Sequence, residues 1–140
     1  MKKTVVLSIR GRQSYAGQEP DEIELVTEGT LEEINGGWKL CYDESALTGM
    51  QGVKTTFQIE GKTITLLRTG KLNSQMVFRE GVPHDSLYQM EFGALMLTVC
   101  AIKVSADISE SGGTIDLVYS IDIEQNAAGM IDYHLDIQVK

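Results

Sequence analysis

From Met130 to Lys140 the chain alternates without a slip. Ile131, Tyr133, Leu135, Ile137 and Val139 are apolar, and Asp132, His134, Asp136 and Gln138 between them are polar. Successive side chains on an extended strand point to opposite faces, so this stretch has one face for a core and one for water. The same period of two recurs along nearly the whole sequence, punctuated by glycine-containing turns, and no window carries a helical period of useful length. A chain so patterned is an antiparallel all-β protein with one wet face.

Ten strands are predicted: Thr4–Arg12, Glu22–Ile34, Trp38–Asp43, Val53–Glu60, Thr63–Thr69, Gln75–Arg79, Asp85–Met90, Ala94–Ser109, Thr114–Glu124 and Met130–Val139. The connections carry hairpin chemistry, as in Asn35-Gly36-Gly37, Glu60-Gly61-Lys62 and Ser111-Gly112-Gly113. Pro20 and Pro83 are both placed between strands, and a short helical turn is expected at Asp43–Ala46. Within Ala94–Ser109 the apolar parity switches, from Leu95, Leu97 and Val99 to Ile102, Val104, Ala106 and Ile108. Such a phase change marks a bulge where a long strand turns a corner. Closing the sheet also removes exposed edges, so a meander of about eight to ten strands closed into one barrel over residues 1–140 is favoured over a two-sheet sandwich.

At 140 residues the chain can bury one core without disulfides or metal. Cys41 and Cys100 lie far apart with no CxxC or histidine-rich context, so two reduced thiols, no metal site and no cofactor are expected. Val5-Val6-Leu7 is ended by Ser8 and Arg10, too short for a signal-peptide core, and no segment has membrane-spanning length. A cytoplasmic setting follows as the expectation. A formal net charge of -8 opposes binding to nucleic acid and to anionic membranes. Glu22, Glu24, Glu28 and Glu32 share one parity and read as a solvated outer face. The loop pattern of a calcium site is absent.

Polar residues that break the pattern are the candidates for a site. Arg68 has the parity of Ile64 and Leu66 and points inward, where a guanidinium needs an aromatic surface, acceptors or a ligand's acidic head group. Trp38 and Tyr42 are candidate aromatic partners. The loop Ser45–Gly52, with Thr48 and Met50, reads as a plug at the barrel end or a portal to a cavity. His84 and Tyr88 share parity but lie roughly 13 Å apart on a strand, too far for a catalytic pair. His84 is expected to be exposed or to line the mouth; Tyr88, Tyr119 and Tyr133 are expected to face inward, and His134 outward among acids. Thr55 belongs with Gly11, Thr27, Gly29 and Ala101 in a set of small inward residues that favours interior space. No nucleophile motif such as GxSxG is present.

Leu47-Thr48-Gly49-Met50-x-Gly52, Thr55-Thr56, Arg68-x-Gly70, Met76-x-Phe78, Gly81, Tyr88, Phe92-Gly93, Gly112-Gly113 and Leu117-x-Tyr119 together resemble the YwiB-like family of small bacterial proteins. The resemblance runs from about Glu44 to the C-terminus, and departs from the family's Thr-Pro at Met90-Glu91. It implies a calycin-type, lipocalin-like β-barrel and a bacterial cytoplasmic protein, and brings no activity or catalytic residues. Three functions remain open. One is a barrel binding a small, mostly apolar or amphiphilic ligand, with Arg68, Tyr88, His84, Thr48, Met50, Thr55 and Tyr119 as candidate contacts. The second is a filled barrel serving as an interaction module. The third is an enzyme with its site at the barrel mouth, drawing on His84, Tyr88 and Arg68. The oligomeric state is not legible in the sequence.

Overall fold

The computed structural model describes residues 2–15, 19–44, 51–90, 93–124 and 126–140. Ten strands form: β1 (Lys2–Tyr15), β2 (Asp21–Ile34), β3 (Gly37–Asp43), β4 (Val53–Glu60), β5 (Thr63–Gly70), β6 (Ser74–Phe78), β7 (Pro83–Met90), β8 (Gly93–Ser109), β9 (Gly112–Ile123) and β10 (Asn126–Val139). All ten predicted strands are present, most of them longer than predicted. Pro83 opens β7 instead of lying between strands, a place where a missing N–H does little harm. The helical turn expected at Asp43–Ala46 is not seen where the chain is described. Asp43 ends β3, and Glu44 continues the hairpin by donating its N–H to Val53 O at 2.9 Å. Ser45 and Ala46 lie outside the described residues.

The strands make one antiparallel sheet in the order β6-β5-β4-β3-β2-β1-β10-β9-β8-β7, with β1 and β10 bringing the chain's two ends together at its centre. The sheet curls until its outer strands meet, giving a nearly closed barrel. Between β6 and β7 there is no continuous ladder. They are joined by a reciprocal backbone pair of Asn73 and Gln89 (2.9 and 2.8 Å) at one end and by the Arg79–Val82 turn at the other. That turn docks on β8, where Gly81 N–H donates to Ala101 O at 2.8 Å and Glu80 Oε1 accepts from Val104 N–H at 3.0 Å.

The docking point is the bulge that the parity switch predicts: the β8–β9 register shifts between Ala101 and Lys103. Ile102, assigned by parity to the inner face, is instead the extra residue and is 58% exposed. Beyond it, Val104, Ala106 and Ile108 pack against the core.

Ile131, Leu135 and Ile137 are buried, with Tyr133 and Val139 packed beside them. In the same core are Leu7, Leu31, Leu40, Phe57, Ile64, Phe78, Ile115 and Leu117, each essentially without solvent contact. Burial of such side chains contributes about 1.5–3 kcal/mol apiece. Rings from opposite walls meet across the interior: Phe78 and Tyr119 have centroids 4.6 Å apart, and Phe57 and Tyr133 6.2 Å. The expectation that small inward residues leave space fails at Gly29. A Cβ on Gly29 would stand 2.4 Å from the carbonyl oxygen of Cys41, so the missing side chain there lets two strands approach. Most of this barrel is filled.

Candidate functional site

One inner row carries the polar residues. Register aligns Gly29, Tyr42, Thr55, Arg68 and Ser74 side by side across β2 to β6. Their common parity turns all five inward, which is why three polar groups and a tyrosine meet below the barrel's end. Arg68 turns inward as its parity predicts, its side chain 11% exposed. Its charge partner, which the sequence reading does not identify, is Glu44, at 1% exposure, with Nε and Oε2 4.0 Å apart. Glu44 lies just past β3, and its Oε2 also accepts from Thr55 Oγ1 at 2.6 Å. Thr55 is thus engaged in holding a carboxylate.

Across from this row, Tyr133 reaches from β10 until its hydroxyl lies 3.3 Å from that of Tyr42. Burial pushes both phenols' pKa values up, and the neighbouring Arg68 guanidinium opposes that shift. Burial works against the charge on Arg68, but Tyr133, Tyr119, Tyr42 and Glu44 more than offset it and keep the group protonated. Glu44 is the carboxylate among those neighbours, and its Oε2 lies 4.0 Å from Arg68 Nε. Of the two aromatic partners proposed for Arg68, Tyr42 is the one beside it.

Arg68, Tyr42 and Tyr133 line a cavity of about 90 Å³ whose other walls are Ile9, Gly11, Gln13, Ile23, Leu25 and Ile131. The space exists because Gly11 has no side chain where the Tyr133 ring passes; a Cβ there would rest 3.7 Å from the ring. β2, with β1 beside it, runs past the last residue that pairs with β3, and this projecting hairpin forms one wall of the cavity. A second, open cleft of about 340 Å³ lies on the outer wall between Arg10, Arg12, Glu22, Glu24 and His134. It sits over a row of solvated charge and has no buried polar group.

The other sequence candidates fall elsewhere. Tyr119 is buried against Phe78. Tyr88 is half-buried against the core. His84 is half-buried at the β6–β7 seam, where its Nδ1 accepts from Val77 N–H at 3.4 Å, instead of being exposed or lining the mouth. The ring stands in for part of the ladder missing there. Thr48 and Met50, and the plug or portal read into their loop, lie outside the described residues. His134 does face outward, yet it is held between Asp116 (2.5 Å) and Asp136 (3.2 Å) and is not freely solvated. The hydrogen bond to Asp116 raises its pKa above 6.5, with burial opposing it. The acids of β2 face water as predicted; Glu28 is paired with Lys140 at 2.7 Å, and Glu22 stands 3.9 Å from Arg12. Cys41 and Cys100 are unlinked. No group of three or more His, Cys, Asp or Glu residues arranged for a metal ion occurs among the described residues. No helix there is long and apolar enough to cross a membrane.

The fold is similar to that of the ywiB protein from Bacillus subtilis, with a TM-score of 0.82 over 96% of this chain and 92% of that one, at 21% identity. No curated protein matches the sequence. The family model described as "Domain of unknown function (DUF1934)" matches residues 7–137. With that model spanning nearly the whole barrel, and the same fold in YwiB, the chain belongs to the DUF1934 family.

Proposed function

We propose that this protein is a cytoplasmic, lipocalin-like binding barrel whose mouth cavity takes the head and first carbons of a small, mostly apolar molecule. The observation that carries the reading is the floor of that cavity. A buried guanidinium and two tyrosine hydroxyls stand there beneath walls of isoleucine and leucine. A cavity of this kind selects a ligand that is apolar along its length and accepts hydrogen bonds at one end. About 90 Å³ is well below the roughly 300–1,000 Å³ of pockets that enclose a drug-sized molecule, so the rest of the ligand lies against the projecting β1–β2 hairpin, where Ile23 is exposed. Because Glu44 already balances the charge of Arg68, an acidic head gains less than it would from an isolated arginine. Unlinked thiols at Cys41 and Cys100 accord with the cytoplasm.

Calorimetric titration with hexanoate, hexanol and hexylamine tests the reading. Hexanoate and hexanol bind, hexylamine does not, and Gly11→Leu, which fills the space beside Tyr133, weakens binding about tenfold or more by excluding the chain. Equal binding in Gly11→Leu, or no binding of any of the three, refutes it. A second reading is favoured by the filled interior together with the exposed pair Leu87 and Met96, adjacent across β7 and β8 on the outer wall. That pair fits a barrel serving as an interaction module.

A further inference from the structure

The floor of the mouth cavity discriminates between head groups by charge. Arg68, the cation among its walls, already has the Glu44 carboxylate beside it, with Nε and Oε2 4.0 Å apart. Glu44 is 1% exposed and is not one of the walls, so it makes no contact with a ligand there, yet its charge acts on whatever lies next to Arg68. The other groups at the floor are the hydroxyls of Tyr42 and Tyr133, 3.3 Å apart. Burial raises both phenols above their ordinary pKa, so both stay neutral. Two phenols carry two hydrogens and their mutual bond uses one, which leaves one to donate. A carbonyl oxygen has two lone pairs and can accept from a hydroxyl and a guanidinium together. A carboxylate can make the same bonds, but it gives up far more hydration on entering. Glu44 repels it while Arg68 attracts it, so the interaction that would offset that loss is reduced.

We propose that the mouth cavity selects a neutral carbonyl head, as in a ketone or an ester, over a carboxylate, and that Glu44 sets this preference from outside the cavity. The inference rests on the binding-barrel reading and specifies its class of ligand. Hexanoate still enters, but it binds more weakly than an uncharged carbonyl compound of the same length. Glu44 is in this sense a specificity residue that never touches the ligand, and Arg68 carries its effect.

Calorimetric titration of the full chain at pH 7 with butyl methyl ketone and with hexanoate compares the two heads on chains of equal carbon number. The ketone binds about tenfold or more tighter than hexanoate, and Gly11→Leu weakens both, which locates both in the cavity. Glu44→Gln keeps an acceptor for the Thr55 hydroxyl and withdraws the charge. In that variant hexanoate gains about tenfold or more relative to the ketone, because the ligand's carboxylate takes the place of Glu44 as charge partner of Arg68. Should Glu44→Gln lose its fold, hexanoate restores the folded circular-dichroism signal at concentrations where the ketone does not, since a ligand stabilises the folded state in proportion to its affinity for it. Hexanoate binding as tightly as the ketone in the native protein, an unchanged preference in Glu44→Gln, or no rescue of an unfolded variant by hexanoate overturns this inference and leaves the binding-barrel reading standing. Binding of neither compound, or binding of both that Gly11→Leu does not weaken, overturns the two together.

Discussion

Replacing Arg68 by methionine removes the guanidinium beside a carboxylate that is almost wholly buried. At 4.0 Å and an effective dielectric of about 20, the attraction between the two charges is about 4 kcal/mol. Arg68→Met is expected to destabilise the fold by about 3–4 kcal/mol at pH 7, within the range for breaking a buried pair from one side. Glu44→Gln removes the carboxylate's charge while keeping an acceptor for the Thr55 hydroxyl. Added to Arg68→Met, it recovers most of the loss and leaves the double variant within about 1.5 kcal/mol of the native protein, because the pair is then replaced as a unit. Urea denaturation of the four proteins of this cycle at pH 7 measures both. A deficit below about 1 kcal/mol at pH 7, or a double variant no more stable than Arg68→Met, would refute the role of Glu44 as the partner that keeps this arginine in the core.

His134 supplies a pH-dependent prediction with a definite sign. Its pKa is raised in the folded protein, chiefly by the hydrogen bond to Asp116, so the stability it contributes is full below 6.5 and is lost as pH rises through the folded value. Asp116→Asn therefore lowers the melting temperature at pH 6 and has a diminishing effect by pH 9. The difference is at most about 1 kcal/mol at low salt, since solvent and salt screen a pair this accessible; a larger effect at pH 9 than at pH 6 contradicts the assignment. Gly29→Ala forces a methyl group against the carbonyl of Cys41 and is expected to cost about 1–3 kcal/mol by chemical denaturation. A neutral result would mean that β2 and β3 separate there more easily than their packing implies.

Strand number, strand order along the chain and the inward set were legible because side-chain parity is a local property. Each of the ten alternating stretches states its own two faces, and glycine-rich turns of hairpin length mark where one ends and the next begins. The inward placement of Arg68 and the bulge in β8 are both consequences of parity, and both were readable one strand at a time. What parity cannot state is the register between strands, or which residue meets which across the barrel. Glu44 sits where alternation has just ended, so nothing in its own neighbourhood marks it as buried, and only the hairpin that returns it beside Thr55 brings it to Arg68. Ile102 has the pattern of a core residue and is exposed, because in a bulge one residue has no partner and the inner face passes to its neighbours. Gly11 and Gly29 look alike in sequence, yet one leaves a cavity beside Tyr133 and the other admits a close backbone approach. The seam between β6 and β7, where the His84 ring accepts from Val77 N–H, depends on how far a ten-stranded sheet curls before its edges meet. That curl is set by the summed twist of the strands and the packing of the whole core, which no single stretch of sequence contains.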